Sequence, residues 1–227
     1  MNAAPDTAPV GPLATKLRGF GPLSVLATVI VVAFGPIAEP FGVLPALAWV
    51  HLSQTPWRDL GFVRPKRWAT TVAVGIGFGT LFKLAMKAVV MPLLGADPIN
   101  PAYHFLAGNT AALPGMMVLV LLGAGFGEET VFRGFLFERL GRLLGSTLRA
   151  KTATVLMTSA LFSLIHYPAQ GLAGAEQAVF TGLAFGTSFA VTGSIFLPMI
   201  AHAAFDVTAV LIIYWNLESY VAHLVFN

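Results

Sequence analysis

The sequence predicts an all-α protein, a polytopic transmembrane helix bundle with about seven to eight spans. The chain has 227 residues, of which 56% are apolar and only 10% are charged. Soluble domains carry about 25% charged residues, so this chain has too few charges to cover a globule in water. Its mean hydropathy of +0.79 also indicates that lipid solvates most of the chain. A soluble enzyme, a secreted disulfide scaffold and a disordered protein are therefore excluded.

A single transmembrane domain is expected over residues 19–217, between two short tails. The chain begins with residues rich in Pro, Ala and Thr that lack helical periodicity, which predicts a disordered tail over residues 1–18. Residues 218–227 are expected to form a C-terminal tail. No internal repeat, linker or low-complexity tract divides the sequence between them.

The first predicted span is the uncharged stretch of residues 19–38, about 20 residues long and therefore long enough to cross a bilayer. A cleaved signal peptide is the competing interpretation, but its apolar core is normally only about 7–15 residues long. Glu39 and Pro40 interrupt the stretch. Residues 41–52 continue it as a short segment, which is either a second span or a re-entrant piece.

The third predicted span covers residues 68–94. Three glycines allow close contact with another helix: Gly75, Gly77 and Gly79. Lys83 and Lys87 lie one turn apart within the same span. Their side chains are expected either to reach the interface or to face the interior of the bundle.

The second half of the chain contains four more predicted spans, at residues 113–144, 152–166, 176–191 and 195–217. The first of these is one long helix or a helix pair. The second ends at Tyr167 and Pro168, and the last two are separated by a tight turn containing Gly and Ser. With the three earlier segments these give seven spans, and an eighth near the C-terminus is the alternative.

Basic residues outside the spans cluster at residues 16–18, 58–67 and 139–151, whereas the loops at 95–112 and 167–176 contain none. In a seven-span arrangement all the basic clusters fall on one side, which is then the cytoplasmic side. The acidic residues at span boundaries are expected to be solvated: Glu39, Glu138, Glu176 and Glu218.

Six ionisable residues lie inside the predicted spans: Glu128, Glu129, Arg133, His166, His202 and Asp206. Each costs about 2.5–3.5 kcal/mol to insert into a bilayer, so such residues are functional candidates. Glu129 and Arg133 are four residues apart, as are His202 and Asp206, so each pair shares a helix face. Glu128 and Glu129 diverge by about 100° around the axis, which predicts different roles.

The depths of these residues predict one buried site. A helix rises about 1.5 Å per residue, which places Glu128 about 16 Å and His166 about 22 Å from the basic loops. The same count places His202 at about 12 Å and Asp206 at about 18 Å. Polar groups from three helices therefore meet in the middle or the cytoplasmic half of the bilayer. A structural ion pair between Glu129 and Arg133, and interhelical hydrogen bonds from the histidines, are the alternative interpretations.

Three motifs resemble those of the CPBP family of intramembrane proteases, also called Abi, which includes the CAAX-processing endoprotease. Residues 128–133 match EExxxR, residues 162–166 match FxxxH, and residues 202–206 match Hxxx(N/D). The three motifs stand in the family's order within residues 113–210. The resemblance implies an intramembrane endopeptidase that hydrolyses a peptide bond of a membrane-associated protein or peptide entering from the cytoplasmic side.

The resemblance also implies residue roles. Glu128 would act as the general base that activates water, with His166 helping to hold or polarise it. His202 and the residue at position 206 would stabilise the oxyanion, and Arg133 would fix and neutralise its partner Glu129. The family often has Asn where this chain has Asp206. An ionised Asp cannot donate a hydrogen bond to an oxyanion, so we expect Asp206 to orient His202 instead.

No cofactor is favoured. Cysteine is absent, which excludes a thiolate metal site and a Cys nucleophile. Zinc held by Glu128, His166 and His202 is the alternative, since the family has been described both as metalloprotease and as glutamate-dependent. The HExxH pair of a zincin helix is missing, which favours a mechanism without metal.

The expected partners are the lipid bilayer and a membrane-bound protein or peptide substrate. Nucleic acid is not expected, because no basic face or aromatic platform is present. The predicted location is a prokaryotic cytoplasmic membrane. Two other functions stay open, a proton-coupled transporter and a non-enzymatic membrane immunity or scaffolding protein. A transporter predicts inverted repeats in matched halves, and the sequence has none.

Overall fold

The computed structural model describes residues 11–35, 38 and 40–226, and every regular element among them is helical. This confirms the predicted all-α fold. Eight helices follow one another in these residues: α1 Pro12–Arg18, α2 Pro22–Phe34, α3 Leu44–Ser53, α4 Trp68–Leu93, α5 Thr110–Leu144, α6 Leu148–Thr192, α7 Phe196–Tyr214 and α8 Glu218–Ala222.

Four of the described helices, α4 to α7, are long and apolar enough to cross a membrane. A fifth is added if α1 and α2, which meet at an angle of 66°, are counted as one span. This number is lower than the seven to eight that we predicted. Helix α3 has only 10 residues, and α6 contains two of the predicted spans within one element.

Helix α6 folds back on itself at Gly171. This residue has φ 66° and ψ −163°, a conformation that is open almost only to glycine. Ser163 Oγ donates to the carbonyl of Ala175 across the turn (2.7 Å), and Lys151 Nζ donates to the carbonyl of Ala190 at the far ends (3.4 Å). The two arms are therefore antiparallel neighbours.

The N-terminal prediction was wrong for residues 12–18. These residues form α1, whose first residue is a proline, a favoured residue at this position of a helix. Arg18 at its end donates from Nε to the carbonyl of Ser53 (2.7 Å) and also hydrogen-bonds to the carbonyl of Gln54. Tertiary hydrogen bonds thus hold a segment that composition alone indicated as disordered. Residues 1–10 and Glu39 lie outside the described residues.

Helices α4 and α7 pack closely through two of the three predicted glycines. A Cβ atom at Gly75 would lie 2.7 Å from Ile200 Cγ2, and one at Gly79 would collide with the carbonyl of Ala201. Gly77 points away from this contact and has open space around it. The GxxxG spacing therefore lets the backbones approach each other where α7 carries His202.

The bundle has two ends with different loops. At the basic end, the backbone N–H of Ile195 donates to the carbonyl of Gly61 (2.9 Å), which joins the loop before α7 to the loop before α4. At the opposite end, the backbone N–H of Gly108 donates to the carbonyl of Tyr214 (2.9 Å). Successive long helices and helix arms therefore run alternately between these two ends.

Two acidic residues that we expected to be solvated are buried. Glu138 is 8% exposed and Glu218 is 2% exposed. Arg142 forms an ion pair with Glu138 at the basic end. At the opposite end, Glu218 lies 2.9 Å from His104 Nδ1 and 3.8 Å from Lys87 Nζ. Each carboxylate thus finds a cationic or hydrogen-bonding partner inside the bundle.

Candidate active site

Three helices bring the six predicted site residues into one cluster inside the bundle. Helix α5 supplies three, α6 supplies one before its turn, and α7 supplies two: Glu128, Glu129, Arg133, His166, His202 and Asp206. Around these residues α5 is wound in wide turns of π type, over Leu119–Glu128 and Thr130–Leu136. Such turns are frequent at functional sites.

Glu129 lies at the centre of the cluster and is fully buried. Its Oε1 accepts a hydrogen bond from Arg133 Nη1 at 2.8 Å. The same oxygen lies 2.7 Å from His202 Nδ1 on α7. The predicted Glu129–Arg133 pair is therefore present, and it also reaches a histidine 73 positions further along the chain.

Arg133 connects α5 to the second arm of α6. Its Nη2 donates to the carbonyl oxygens of Thr181 (3.5 Å) and Gly182 (3.3 Å). The guanidinium also lies 4.8 Å from the ring centroid of Phe162 on the first arm. These contacts fix the guanidinium, and through it the carboxylate of Glu129.

The contact with Glu129 sets the orientation of His202. A carboxylate accepts hydrogen bonds, so Nδ1 of the ring is the nitrogen that donates to Glu129. The other nitrogen, Nε2, then points toward Asp206 Oδ2 at 3.5 Å and Glu128 Oε2 at 3.8 Å. Glu129, which we expected only to pair with Arg133, therefore makes the shorter contact to His202, and Asp206 makes a longer one.

His166 approaches Glu128 from the other side. Its Nδ1 donates to the backbone carbonyl of Phe162 at 2.7 Å, because a carbonyl oxygen can only accept. Its Nε2 lies 4.0 Å from Glu128 Oε1. The two carboxylate oxygens of Glu128 thus face two different imidazoles at distances too long for a direct hydrogen bond. Such separations suit a bridging water molecule.

A cavity of about 530 Å³ reaches the cluster. Glu128, His166, His202 and Asp206 line it, whereas Glu129 and Arg133 lie behind them. The side chain of Glu128 is 16% exposed and that of Asp206 is 25% exposed, so both are accessible from the cavity. The six residues therefore divide into four that can meet a substrate and two that support them.

Lys83 also faces this cavity, and we had left its orientation open. Its Nζ donates to Gln177 Oε1 at 2.8 Å and lies 4.8 Å from the ring centroid of Phe205. Lys87, one turn further, hydrogen-bonds to the carbonyl of Pro98 and faces the same space. Both lysines thus point into the bundle. The presence of the two lysines inside a predicted span indicated that they could be functional. No feature of the sequence indicated that Gln177 would be the partner of Lys83.

Zinc held by Glu128, His166 and His202 is the alternative to a site of side chains and water alone. Over residues 11–35, 38 and 40–226, no group of three or more His, Asp or Glu side chains is arranged to hold a metal ion. Nδ1 of His202 hydrogen-bonds to Glu129 and Nδ1 of His166 to Phe162, which leaves each Nε2 directed at Glu128. As placed, these side chains do not form a set of zinc ligands.

Long apolar helices and a buried acid–imidazole cluster at a cavity together define an integral membrane protein with a candidate hydrolytic site. Residues 110–208 match the family model described as "Type II CAAX prenyl endopeptidase Rce1-like". This match covers all six site residues and, over that stretch of the chain, confirms the resemblance carried by the three motifs. Among curated proteins and among solved structures, no match to the chain is found. The family supports a protease of the membrane, and the roles of the individual residues stay predictions.

Proposed function

We propose that the protein is an intramembrane endopeptidase in which Glu128 activates a water molecule for hydrolysis of a peptide bond. The observation that carries this proposal is the placement of Glu128 at the cavity, between the Nε2 atoms of His166 and His202 at 4.0 and 3.8 Å. The family match over residues 110–208 supports the same reaction class.

In the first step, water lies between Glu128 and His166. Glu128 removes one proton, and His166 Nε2 accepts a hydrogen bond from the other O–H of the water. The hydroxide oxygen then forms a bond to the carbonyl carbon of the substrate. Proton removal by a positioned side chain typically accelerates such a step by about 10²–10⁴-fold.

In the second step, the negative charge on the former carbonyl oxygen is stabilised by His202. This side chain donates a hydrogen bond from Nε2 when that nitrogen carries a proton. A fixed donor aimed at the developing charge is effective because it needs no reorganisation during the reaction. Glu128 then returns its proton to the nitrogen of the scissile bond. The C–N bond breaks to release an amine and a carboxylic acid.

Glu129 and Arg133 act as positioning residues in this scheme. They are buried behind the cavity, so they do not touch the substrate. Glu129 holds Nδ1 of His202, which directs Nε2 toward the cavity. Asp206, at 3.5 Å from the same Nε2, helps to orient the ring rather than donating to the oxyanion.

The substrate is a membrane-associated protein or peptide. The cavity that leads to Glu128 is lined largely by apolar side chains, as suits a segment delivered from lipid. The name of the matched family refers to prenylated CAAX substrates. For this chain we propose the broader class of membrane-bound peptides and proteins, in a prokaryotic cytoplasmic membrane.

The test compares membranes that contain the wild-type protein with membranes that contain Glu128→Gln. New protein termini are identified by mass spectrometry, and the amount and thermal unfolding of each variant are measured in parallel. We expect Glu128→Gln to lower cleavage by about 10²–10⁴-fold while the protein remains folded.

Glu176→Gln is the matched control. This glutamate lies on the second arm of α6, is partly exposed, and is not part of the cavity lining. Its substitution removes a carboxylate of the same kind without touching the site, so cleavage should be unchanged. Full cleavage by Glu128→Gln would exclude Glu128 as the base. An absence of cleavage by every form would favour a transporter or a non-enzymatic role.

A further inference from the structure

We infer that Lys83 on α4 is a further positioning residue of the active site, whose ammonium compensates the negative charge of Asp206. This inference rests on the proposed function, because it concerns the oxyanion donor of the same site. With the charge of Asp206 compensated, His202 can turn its Nε2–H from that carboxylate to the substrate.

Lys83 is held at the wall of the cavity by contacts from two other helices. Its side chain is buried and lines the cavity. Its Nζ donates to Oε1 of Gln177 on the second arm of α6 (2.8 Å) and lies 4.8 Å from the ring centroid of Phe205 on α7. Neither partner carries a charge. These contacts therefore fix the ammonium in place without neutralising it.

Lys83 and Lys87 lie one turn apart, but they differ in their contacts with carboxylates. Lys87 Nζ lies 3.8 Å from Glu218 Oε1. In the part of the chain that the structure describes, Lys83 forms no such ion pair. A buried charge is costly unless an opposite charge compensates it, and in a low dielectric the attraction extends beyond contact distance. The charge that compensates Lys83 must therefore belong to a carboxylate further away.

Asp206 is placed to be that carboxylate. It follows Phe205, whose ring the ammonium overlies, and both Asp206 and Lys83 line the cavity. A hydrogen bond from Thr208 Oγ1 to Thr80 Oγ1 (3.2 Å) keeps α4 and α7 in register at this level. Among the charged side chains of the described residues, Asp206 exerts the strongest attraction on Lys83. Geometry and charge thus pair the two side chains across the wall of the cavity.

The charge balance of the cluster shows what a second cation contributes. Three carboxylates surround the imidazole of His202, those of Glu128, Glu129 and Asp206. Arg133 forms an ion pair with Glu129, behind the cavity. Like charges that lie close together in a low dielectric repel each other. A cation at the wall of the cavity offsets this repulsion on the side where the substrate binds.

The charge on Asp206 matters because this carboxylate and the oxyanion need the same hydrogen. Nε2 of His202 carries at most one proton, and Asp206 Oδ2 lies 3.5 Å from it. An uncompensated carboxylate would keep that N–H, whereas a carboxylate that also attracts an ammonium holds it less strongly. The donor is then free to turn to the developing charge. Lys83 therefore acts through Asp206.

The test is a double-mutant cycle between Lys83→Met and Asp206→Asn in the full chain. Both kcat and KM are measured in membranes, with a peptide whose cleavage by the wild type has been identified from its new termini. Lys83→Met keeps the length of the side chain and removes its charge. It should lower kcat by about 10- to 100-fold, less than the loss of about 10²–10³-fold when an oxyanion donor is removed altogether.

Adding Asp206→Asn to Lys83→Met should raise kcat again, to within about tenfold of the wild type, because no carboxylate then competes for the Nε2–H. Independent effects of the two substitutions would multiply instead. Lys83→Arg is the conservative variant, which keeps the positive charge and should retain most of kcat. Lys87→Met is the matched control, and its effect on kcat should multiply with that of Asp206→Asn.

Three results would overturn the inference. The first is an unchanged kcat for Lys83→Met. The second is a loss of kcat that Asp206→Asn does not relieve, which would make the role of Lys83 independent of that carboxylate. The third is a rise in KM alone, which would assign Lys83 to binding of the substrate.

Thermal unfolding of the same forms separates this inference from the proposed function. If the two charges compensate each other, Lys83→Met should lower the unfolding temperature by about 2–4 °C more in the wild-type background than in the Asp206→Asn background. Such a difference in a protein that cleaves no peptide would refute the proposed function alone. Additive unfolding temperatures, in a protein whose cleavage depends on Glu128, would refute this inference alone.

Discussion

Two ionic clusters are built on Glu–Arg pairs of helix α5 and serve different purposes. The first, the site cluster, comprises Glu129, Arg133 and His202, and the second, the anchor cluster, comprises Glu138, Arg139 and Arg142. Both are built on a Glu with an Arg four positions later. They differ in what lies beyond that pair.

The anchor cluster hydrogen-bonds to the backbone of the N-terminal helices. Arg139 Nη1 donates to the carbonyl of Arg18 at 2.8 Å, and Nη2 hydrogen-bonds to the carbonyl of Gly19 and to Ser24 Oγ, the latter at 2.9 Å. The guanidinium also lies 4.5 Å from the ring centroid of Phe20. These contacts fasten α1 and α2 to α5.

In the site cluster, the Glu–Arg pair contacts a titratable side chain, His202, instead of backbone carbonyls of the N-terminal helices. Glu129 contacts Nδ1 of His202, and the opposite nitrogen of that ring faces the cavity. In the anchor cluster, the connection to α1 and α2 is made by Arg139, which lies next to Glu138, and not by Arg142 four positions after it. In the site cluster, Glu129 of the Glu–Arg pair itself contacts a reactive side chain on another helix.

The largest effect is expected from breaking the site cluster. Glu129→Leu leaves the guanidinium of Arg133 buried and unpaired, which costs about 3–5 kcal/mol and should lower the unfolding temperature strongly. Combining it with Arg133→Met removes both charges, and stability should largely return. Cleavage should nevertheless stay about 100-fold below wild type, because His202 has lost the acceptor that orients it. Thermal unfolding and cleavage are measured on both forms.

This pair of variants separates the two interpretations of the Glu129–Arg133 pair. Recovery of both stability and cleavage in the double variant would show that the pair is structural only. Recovery of stability alone would identify Glu129 as a positioning residue for His202.

A smaller effect is expected from breaking the anchor cluster. Arg139→Met removes charge-assisted hydrogen bonds to α1 and α2, which should lower the free energy of unfolding by about 1.5–3 kcal/mol. Cleavage measured well below the unfolding temperature should be unchanged. Arg142→Met is the control, since this side chain is more exposed and should matter less. A loss of cleavage comparable to that of Glu129→Leu would contradict the distinction between the clusters.

The smallest effect is expected from Asp206→Asn. Asp206 lies further from His202 than Glu129 does, and Asn keeps its shape and can itself donate a hydrogen bond. Cleavage should fall by less than about tenfold, a barrier change of about 1.4 kcal/mol. His202→Gln serves as the reference with a large loss. A decrease for Asp206→Asn as large as that for His202→Gln would assign Asp206 an essential role.

Features encoded by nearby residues were predictable from the sequence. Hydropathy predicted the helical bundle, and the spacing of four predicted the Glu129–Arg133 pair, which the structure contains. The helical rise predicted similar depths for Glu128, His166 and His202. In the structure each histidine lies within 4.0 Å of the Glu128 carboxylate. Each of these inferences needs only the geometry of a single helix.

Features that depend on a distant partner were not predictable. The contact of Glu129 with His202 joins two helices, and the burial of Glu218 depends on His104 and Lys87 in other segments. The spans predicted at residues 152–166 and 176–191 form one continuous element, because Gly171 turns α6 into a hairpin without a loop between its arms.

Gly79 does not line the cavity, but it constrains the position of His202. With only a hydrogen atom there, α4 rests directly on the peptide group of Ala201, the residue that precedes His202. A single methyl group at this position would push that stretch of α7 aside and carry the imidazole with it. A shift of about 1 Å can cost about 100-fold in rate, so the tolerance of catalysis to mutation is set partly by a residue that no substrate meets.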